Sequence, residues 1–222
     1  MKVFSVHYNK PEYIYLQKRS LDRYLKIPYE FIILDNSISE THLQNIKKAS
    51  EDLNLQYIYC NNQVSLMGSE SHQNALEYFV NEIKDNETIM IIDHDLFLIG
   101  DLHESYYIDY DIVYLNQPRG NIVYPWPGLI IFNKVKNKSQ ISFKSGKIEN
   151  EYCDTGGSMY YYIRDNNLNV KNISNLKYIN TDNLLMETFE DIFVHLISGS
   201  DWNKDYDLQG KLDFIKDKLI YD

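Results

Sequence analysis

The chain of 222 residues and 26.4 kDa is long enough for one α/β domain whose core removes very roughly 70% of the unfolded chain's surface from water. Its 44% hydrophobic and 24% charged residues are ordinary for a soluble globular protein, and a net charge of −10 without any run of five or more Lys or Arg excludes a nucleic-acid-binding surface. The opening residues, Met1 to His7, lack the apolar length of a signal peptide, and no stretch approaches the roughly 18 apolar residues of a transmembrane segment, so a cytoplasmic protein is expected.

Taken in order, Val3 to Val6 reads as a first strand. Asn9 and Pro11 offer an N-cap and a first-turn proline for a helix that runs to about Leu25, with Ile14, Leu21 and Leu25 near one face. Phe31 to Leu34 is a second buried strand, ending in Asp35. A helix from about Ser39 places Leu43, Ile46 and Ala49 inward, and Leu55 to Tyr59 gives a third strand. After a loop at 63–68, the helix from Ser71 to Lys84 carries Leu76, Phe79, Val80 and Ile83 at helical spacing. The alternation predicts a single α/β domain with a mainly parallel central sheet flanked by helices.

The next stretch organises the rest. Ile89 to Ile92 is an unbroken β-favouring run, as in a central strand covered on both faces, and it stops at Asp93, His94 and Asp95. Side chains at i and i+2 of an extended chain point the same way, and the carboxyl edge of a parallel sheet is where α/β folds bind ligands. Asp93 and Asp95 therefore either cap a turn or present two oxygen ligands to a hard cation, Mg²⁺ or Mn²⁺. An acidic protein that binds a diphosphate needs local positive charge, and a cation supplies it.

Beyond Gly100, Asp111 to Leu115 and Leu129 to Phe132 read as strands around a loop holding Pro118, Pro125, Trp126, Pro127 and Gly128. That loop is either an acceptor-binding wall or a rigid structural connection. The polar segment from Gln140 to Glu151 reads as a mobile connection. Asp154 to Ser158 opens a helix from Met159 to Arg164, and Phe193 to His195 is a short late strand. Leu208, Leu212, Ile215 and Leu219 mark an amphipathic C-terminal helix. Cys60 and Cys153, far apart in sequence, give neither a disulfide framework nor a zinc pattern.

Residues 1 to 100 resemble the nucleotide-binding half of GT-A glycosyltransferases, the metal-dependent enzymes with an Asp-x-Asp signature. The likeness rests on Asp93 to Asp95, on the opening strand that runs into His7, Tyr8, Asn9, Lys10 and Pro11, and on Ile33 to Ser37. The resemblance implies a nucleotide-sugar-binding half over 1–100 and an acceptor-binding half with the C-terminal helix over 101–222. It implies a nucleoside-diphosphate sugar of the UDP or GDP type as donor and a carbohydrate or glycoconjugate acceptor. Asp35 would accept a hydrogen bond from the base, with His7 near the nucleotide. Asp93 would meet the ribose or a bound water, and Asp93, Asp95 and His195 would hold the cation. Trp202 and Lys204 would lie in a loop over the diphosphate, although the chain departs from the best-known late motif in spacing and lacks a Lys-Pro before the Trp.

The Arg-Trp motif of processive members and the familiar Glu-Asp base pair are absent, which implies a non-processive transfer. Inversion would need a base from the acceptor half, and Asp154 before Gly156 and Gly157 is placed for it, the alternative being an N-cap. Two other readings stay open: a nucleotidyltransferase that makes sugar nucleotides, and a non-catalytic module on the same fold that binds glycans or proteins.

Overall fold

A computed structural model describes residues 1–61, 68–174, 176–181, 184–197 and 208–221. In chain order the elements are β1 (Lys2–His7), α1 (Pro11–Tyr24), β2 (Glu30–Asp35), α2 (Glu40–Asp52), β3 (Gln56–Tyr59), α3 (Ser69–Glu82), β4 (Ile89–Asp93) and β5 (Leu96–Leu98). There follow β6 (Ile112–Arg119), β7 (Ile122–Phe132), β8 (Gly146–Ile148), β9 (Glu151–Cys153) and α4 (Met159–Asp165). The last are β10 (Val170–Ile173), β11 (Lys177–Thr181), β12 (Leu184–Phe189), β13 (Phe193–Leu196) and α5 (Leu208–Tyr221).

Seven strands form the main sheet in the order β10-β6-β7-β4-β1-β2-β3, with β4 at its centre. Every pairing is parallel except those of β7, which runs antiparallel to both β4 and β6. The expected mixed α/β architecture with a mainly parallel sheet is therefore present. Alternation along the strands divides the core. Met90 and Ile92 face α1 and α2, whereas Ile89 and Ile91 face α3 and α4, and all four are buried. This is why β4 reads as an uninterrupted apolar run.

A second sheet, ordered β11-β12-β13-β5, is wholly antiparallel and packs its Phe193, Val194 and Leu196 into the α1 side of the core. Helix α5 closes over it, with Leu212 and Ile215 buried and the Tyr24 hydroxyl donating to Lys218 O at 3.0 Å. The sequence pattern anticipated only β13 of these four strands.

Three expectations are corrected. Asn9 does not cap α1; it takes a left-handed turn at φ 56°, and its N–H donates to Ser37 Oγ at 3.0 Å. The proline-rich stretch is not a loop but the arms of a long hairpin, β6–β7, turning at Gly120. Its register shifts between Tyr114 and Asn116, and such irregularities let a strand carry residues without an N–H, such as Pro118, Pro125 and Pro127. The polar segment from Gln140 is anchored: Phe143 is fully buried against Phe79, ring centroids 5.9 Å apart, and the β8–β9 hairpin follows it.

Candidate active site

The turn at His94 and Asp95 joins the two sheets. Asp93 ends β4, and one residue past the turn β5 begins in the other sheet. A single buried side chain holds this turn from beneath. Gln17 of α1, with no exposed surface, donates from Nε2 to Asp93 O at 2.6 Å and to Leu96 O at 2.9 Å, spanning the turn. Its Oε1 accepts from Ser5 Oγ at 2.8 Å and lies 3.0 Å from His7 Nε2. Both amide hydrogens go to carbonyls, so Oε1 is an acceptor only and His7 carries its proton on Nε2.

His7 is therefore an interior residue. It is fully buried, and burial first, then the neighbouring His94, pushes its pKa down to about 3, keeping the ring neutral. The His94 ring lies between His7 and Tyr13, at centroid distances of 5.9 and 5.4 Å.

Each carboxylate of the turn meets an imidazole. Asp93 Oδ1 stands 3.0 Å from Nε2 of His72, in the first turns of α3. Asp95 Oδ1 stands 3.7 Å from Nε2 of His195, which β13 delivers directly opposite Leu96, and Leu196 N–H donates to Asp95 O at 2.9 Å. The other ring nitrogen of His195 lies 3.3 Å from Glu187 on β12. Burial opposes charge on Asp93, yet His72, His94 and His195 hold its carboxyl below the usual range. Burial likewise disfavours both imidazoliums, but the carboxylates outweigh it: Asp93, Asp95 and Asp154 raise His72, and Asp95, Glu187 and Asp93 raise His195. His72 gave no sequence signal, because one His among polar residues on a helix looks like any other.

The facing wall comes from β7 and the loop after β9. The ring of Trp126 lies 4.9 Å from that of His195 and over Gly128, where a Cβ would collide with it. Gly156, at φ 90°, approaches so closely that a Cβ would stand 2.9 Å from Pro125 O. This packing seats Asp154 beside the Trp126 strand. Asp154 Oδ1 accepts the Thr155 N–H at 2.8 Å, Asp154 N–H donates to Tyr124 Oη at 3.0 Å, and Thr155 Oγ1 donates to Ser69 O at 2.8 Å. Ser158, not Asp154, holds the N-cap position of helix α4, and its hydroxyl donates to Lys144 O at 3.0 Å instead of capping the helix.

Asp35 is fully buried at the end of β2. Its Oδ1 accepts the Ser37 N–H at 2.9 Å and its Oδ2 the Tyr57 hydroxyl at 3.0 Å, while burial pushes its pKa above the usual range. Trp202 and Lys204 lie outside the described residues.

The donor set suits a hard divalent cation: two carboxylates and an imidazole, with a gap between Asp95 and His195. Among the described residues no three His, Cys, Asp or Glu gather closely enough to enclose a metal. The fit is thus to a cation completed by substrate phosphates and water, as is usual for Mg²⁺, and not to an all-protein cage.

No protein-family model and no curated protein matches the chain. Solved structures do. The mannosyltransferase PcManGT from Pyrobaculum calidifontis, in complex with GDP-Man and Mn²⁺, is similar at a TM-score of 0.52 and 11% identity, over 77% of this chain and 53% of that one. TarS from S. aureus is similar at a TM-score of 0.51 and 17% identity, over 99% of this chain and 42% of that one. This chain therefore spans about half the length of these proteins. At such identities the likeness is one of fold, and the fold is that of GT-A glycosyltransferases. Among the described residues no helix is long and apolar enough to cross a membrane.

Proposed function

We propose that the chain transfers a sugar from a nucleoside-diphosphate sugar to an acceptor hydroxyl, non-processively, with Mn²⁺ or Mg²⁺ bound at the Asp93–Asp95 turn. The observation that carries this reading is the meeting of Asp93, Asp95, His72 and His195 at the carboxyl edge of a GT-A sheet. A bound cation there supplies Lewis-acid stabilisation of the departing diphosphate. Asp95 and His195 are its protein ligands. Asp93, held by His72, faces the ribose or a bound water. Asp35 accepts a base N–H at a lone pair left over from its bonds to Ser37 and Tyr57.

An inverting transfer needs a carboxylate to take the acceptor's proton, and Asp154, close enough to His72 to influence its charge, is the residue we assign to it. Its Oδ1 holds Thr155, which leaves Oδ2 for that proton.

Calorimetry of UDP and GDP with and without Mn²⁺ tests the donor site. Metal-dependent binding by the wild type, lost in Asp95→Ala, is expected; metal-independent binding refutes it. In Asp154→Asn, transfer should fall about 100-fold or more while donor binding persists. A wild-type rate, or a product that keeps the donor's anomeric configuration, removes Asp154 as an inverting base. Release of pyrophosphate instead of nucleoside diphosphate would make the protein a nucleotidyltransferase. Release of neither, with varied acceptors, would make it a binding module.

A further inference from the structure

Glu187 lies on β12 directly across from His195 on β13, and its Oε2 stands 3.3 Å from His195 Nδ1. On the other side of the ring, Nε2 stands 3.7 Å from Asp95 Oδ1. The two distances differ in kind. The first is within hydrogen-bond reach, and a carboxylate oxygen accepts, so an Nδ1–H is donated to Glu187 and Nε2 is the ring atom left to face Asp95. The second is too long for a hydrogen bond. In an octahedral shell two neighbouring ligand atoms, each about 2.0–2.2 Å from the cation, are separated by roughly 3 Å, so a small closing movement of this gap would bring both onto one cation.

The other pair at the turn lacks this build. His72 closes on Asp93 at 3.0 Å, leaving no room for a cation between them. His195 alone has a second carboxylate behind it and an aromatic ring, Trp126, against it.

We infer that Glu187 is a positioning residue, which fixes the tautomer and ring plane of His195 so that Nε2 faces Asp95 as a cation ligand. The inference rests on the metal-assisted reading above. Partners that hold the far nitrogen of a metal-bound His typically change metal affinity by about 10- to 100-fold when removed.

The test compares wild type, Glu187→Leu, Glu187→Gln and Asp95→Ala for Mn²⁺ binding in the presence of UDP or GDP, by calorimetry, with pulsed electron paramagnetic resonance of the bound Mn²⁺. The expected result for Glu187→Leu is Mn²⁺ affinity weakened about 10- to 100-fold, with metal-free nucleotide binding unchanged. Glu187→Gln, whose amide oxygen still accepts from Nδ1, should recover most of the loss. Wild-type Mn²⁺ should show coupling to a directly bound imidazole nitrogen. If the wild type shows metal-dependent binding abolished by Asp95→Ala but Glu187→Leu binds Mn²⁺ equally well, the role of Glu187 is wrong while the metal site stands. Should Glu187→Leu fail to fold, a Glu187→Gln protein with wild-type-like nitrogen coupling and affinity upholds the inference, and the absence of that coupling in wild type overturns it. If Asp95→Ala leaves Mn²⁺ binding intact, the metal reading fails and the inference with it.

Discussion

Asp93 and Asp95 stand two residues apart and yet are held by different parts of the molecule. Asp93 sits at the end of the central strand, fixed by Gln17 of α1 and His72 of α3, elements that precede it in the chain. Asp95 immediately precedes a strand of the other sheet; Leu196 N–H holds its carbonyl, and His195, backed by Glu187, faces its carboxylate from far downstream. The turn is a seam. Packing against helices earlier in the chain sets one carboxylate, and pairing with a later strand sets the other.

The largest effect should come from breaking the Asp93 side. Gln17→Leu keeps the bulk of the side chain but strips partners from Asp93 O, Leu96 O, Ser5 and His7 inside the core, at about 1–3 kcal/mol per stranded group before relaxation. A net loss of about 4 kcal/mol in urea unfolding is expected. A loss under about 1 kcal/mol would mean that the turn needs no clamp from beneath.

A smaller effect on the same side is read by acid. The folded-state pKa of His7, about 3, lies below the unfolded value near 6.5. The unfolded chain therefore binds the extra proton, and the His7 contribution is complete above the unfolded pKa and lost as pH falls. Between pH 7 and 4.5 the wild type should lose about 2–3 kcal/mol more than His7→Gln. His72 and His195, with raised values, act in the opposite sense and are common to both proteins, so the difference isolates His7. Equal pH slopes would mean that the ring is protonated within the fold.

The smallest effect sharpens the Asp95 side. Gly128→Ala puts a methyl group where the Trp126 ring lies, and the ring can swing toward His195. About 1 kcal/mol of stability should be lost, with a changed near-ultraviolet circular dichroism from Trp126 and weaker metal-dependent donor binding. An unchanged spectrum would show that the ring does not pack where it is placed.

The same asymmetry governs what could be read from the sequence. Strands β1, β2 and β4 are buried on both faces, so their apolar runs are plain, and the acids that end β2 and β4 are plain too. Strands β10 and β11 lie at sheet edges and read as polar mixtures, Val170-Lys171-Asn172-Ile173 and Lys177-Tyr178-Ile179-Asn180-Thr181. Prolines hid the β6–β7 hairpin, because the bulge that admits them is not visible in composition. Gln17 and Glu187 look like solvent-facing polar residues until the pairing that buries or aligns them is known. Asp93, Asp95 and His195 were legible as chemistry; the partners that hold them were not.

The docking of β13 onto β5 also bears on the order of folding. Contacts between distant parts of a chain form late, because closing a long loop costs entropy before any contact repays it. The sheet around β4 can assemble with the Asp93 side of the turn complete while residues 184–196 are still unattached. A nucleotide that requires both sides would bind only after the late strand docks, and by mass action it would then hold that strand in place. Hydrogen exchange at Leu196 N–H, which donates to Asp95 O, should therefore slow on addition of nucleotide and Mn²⁺ more than exchange at the amides of β1.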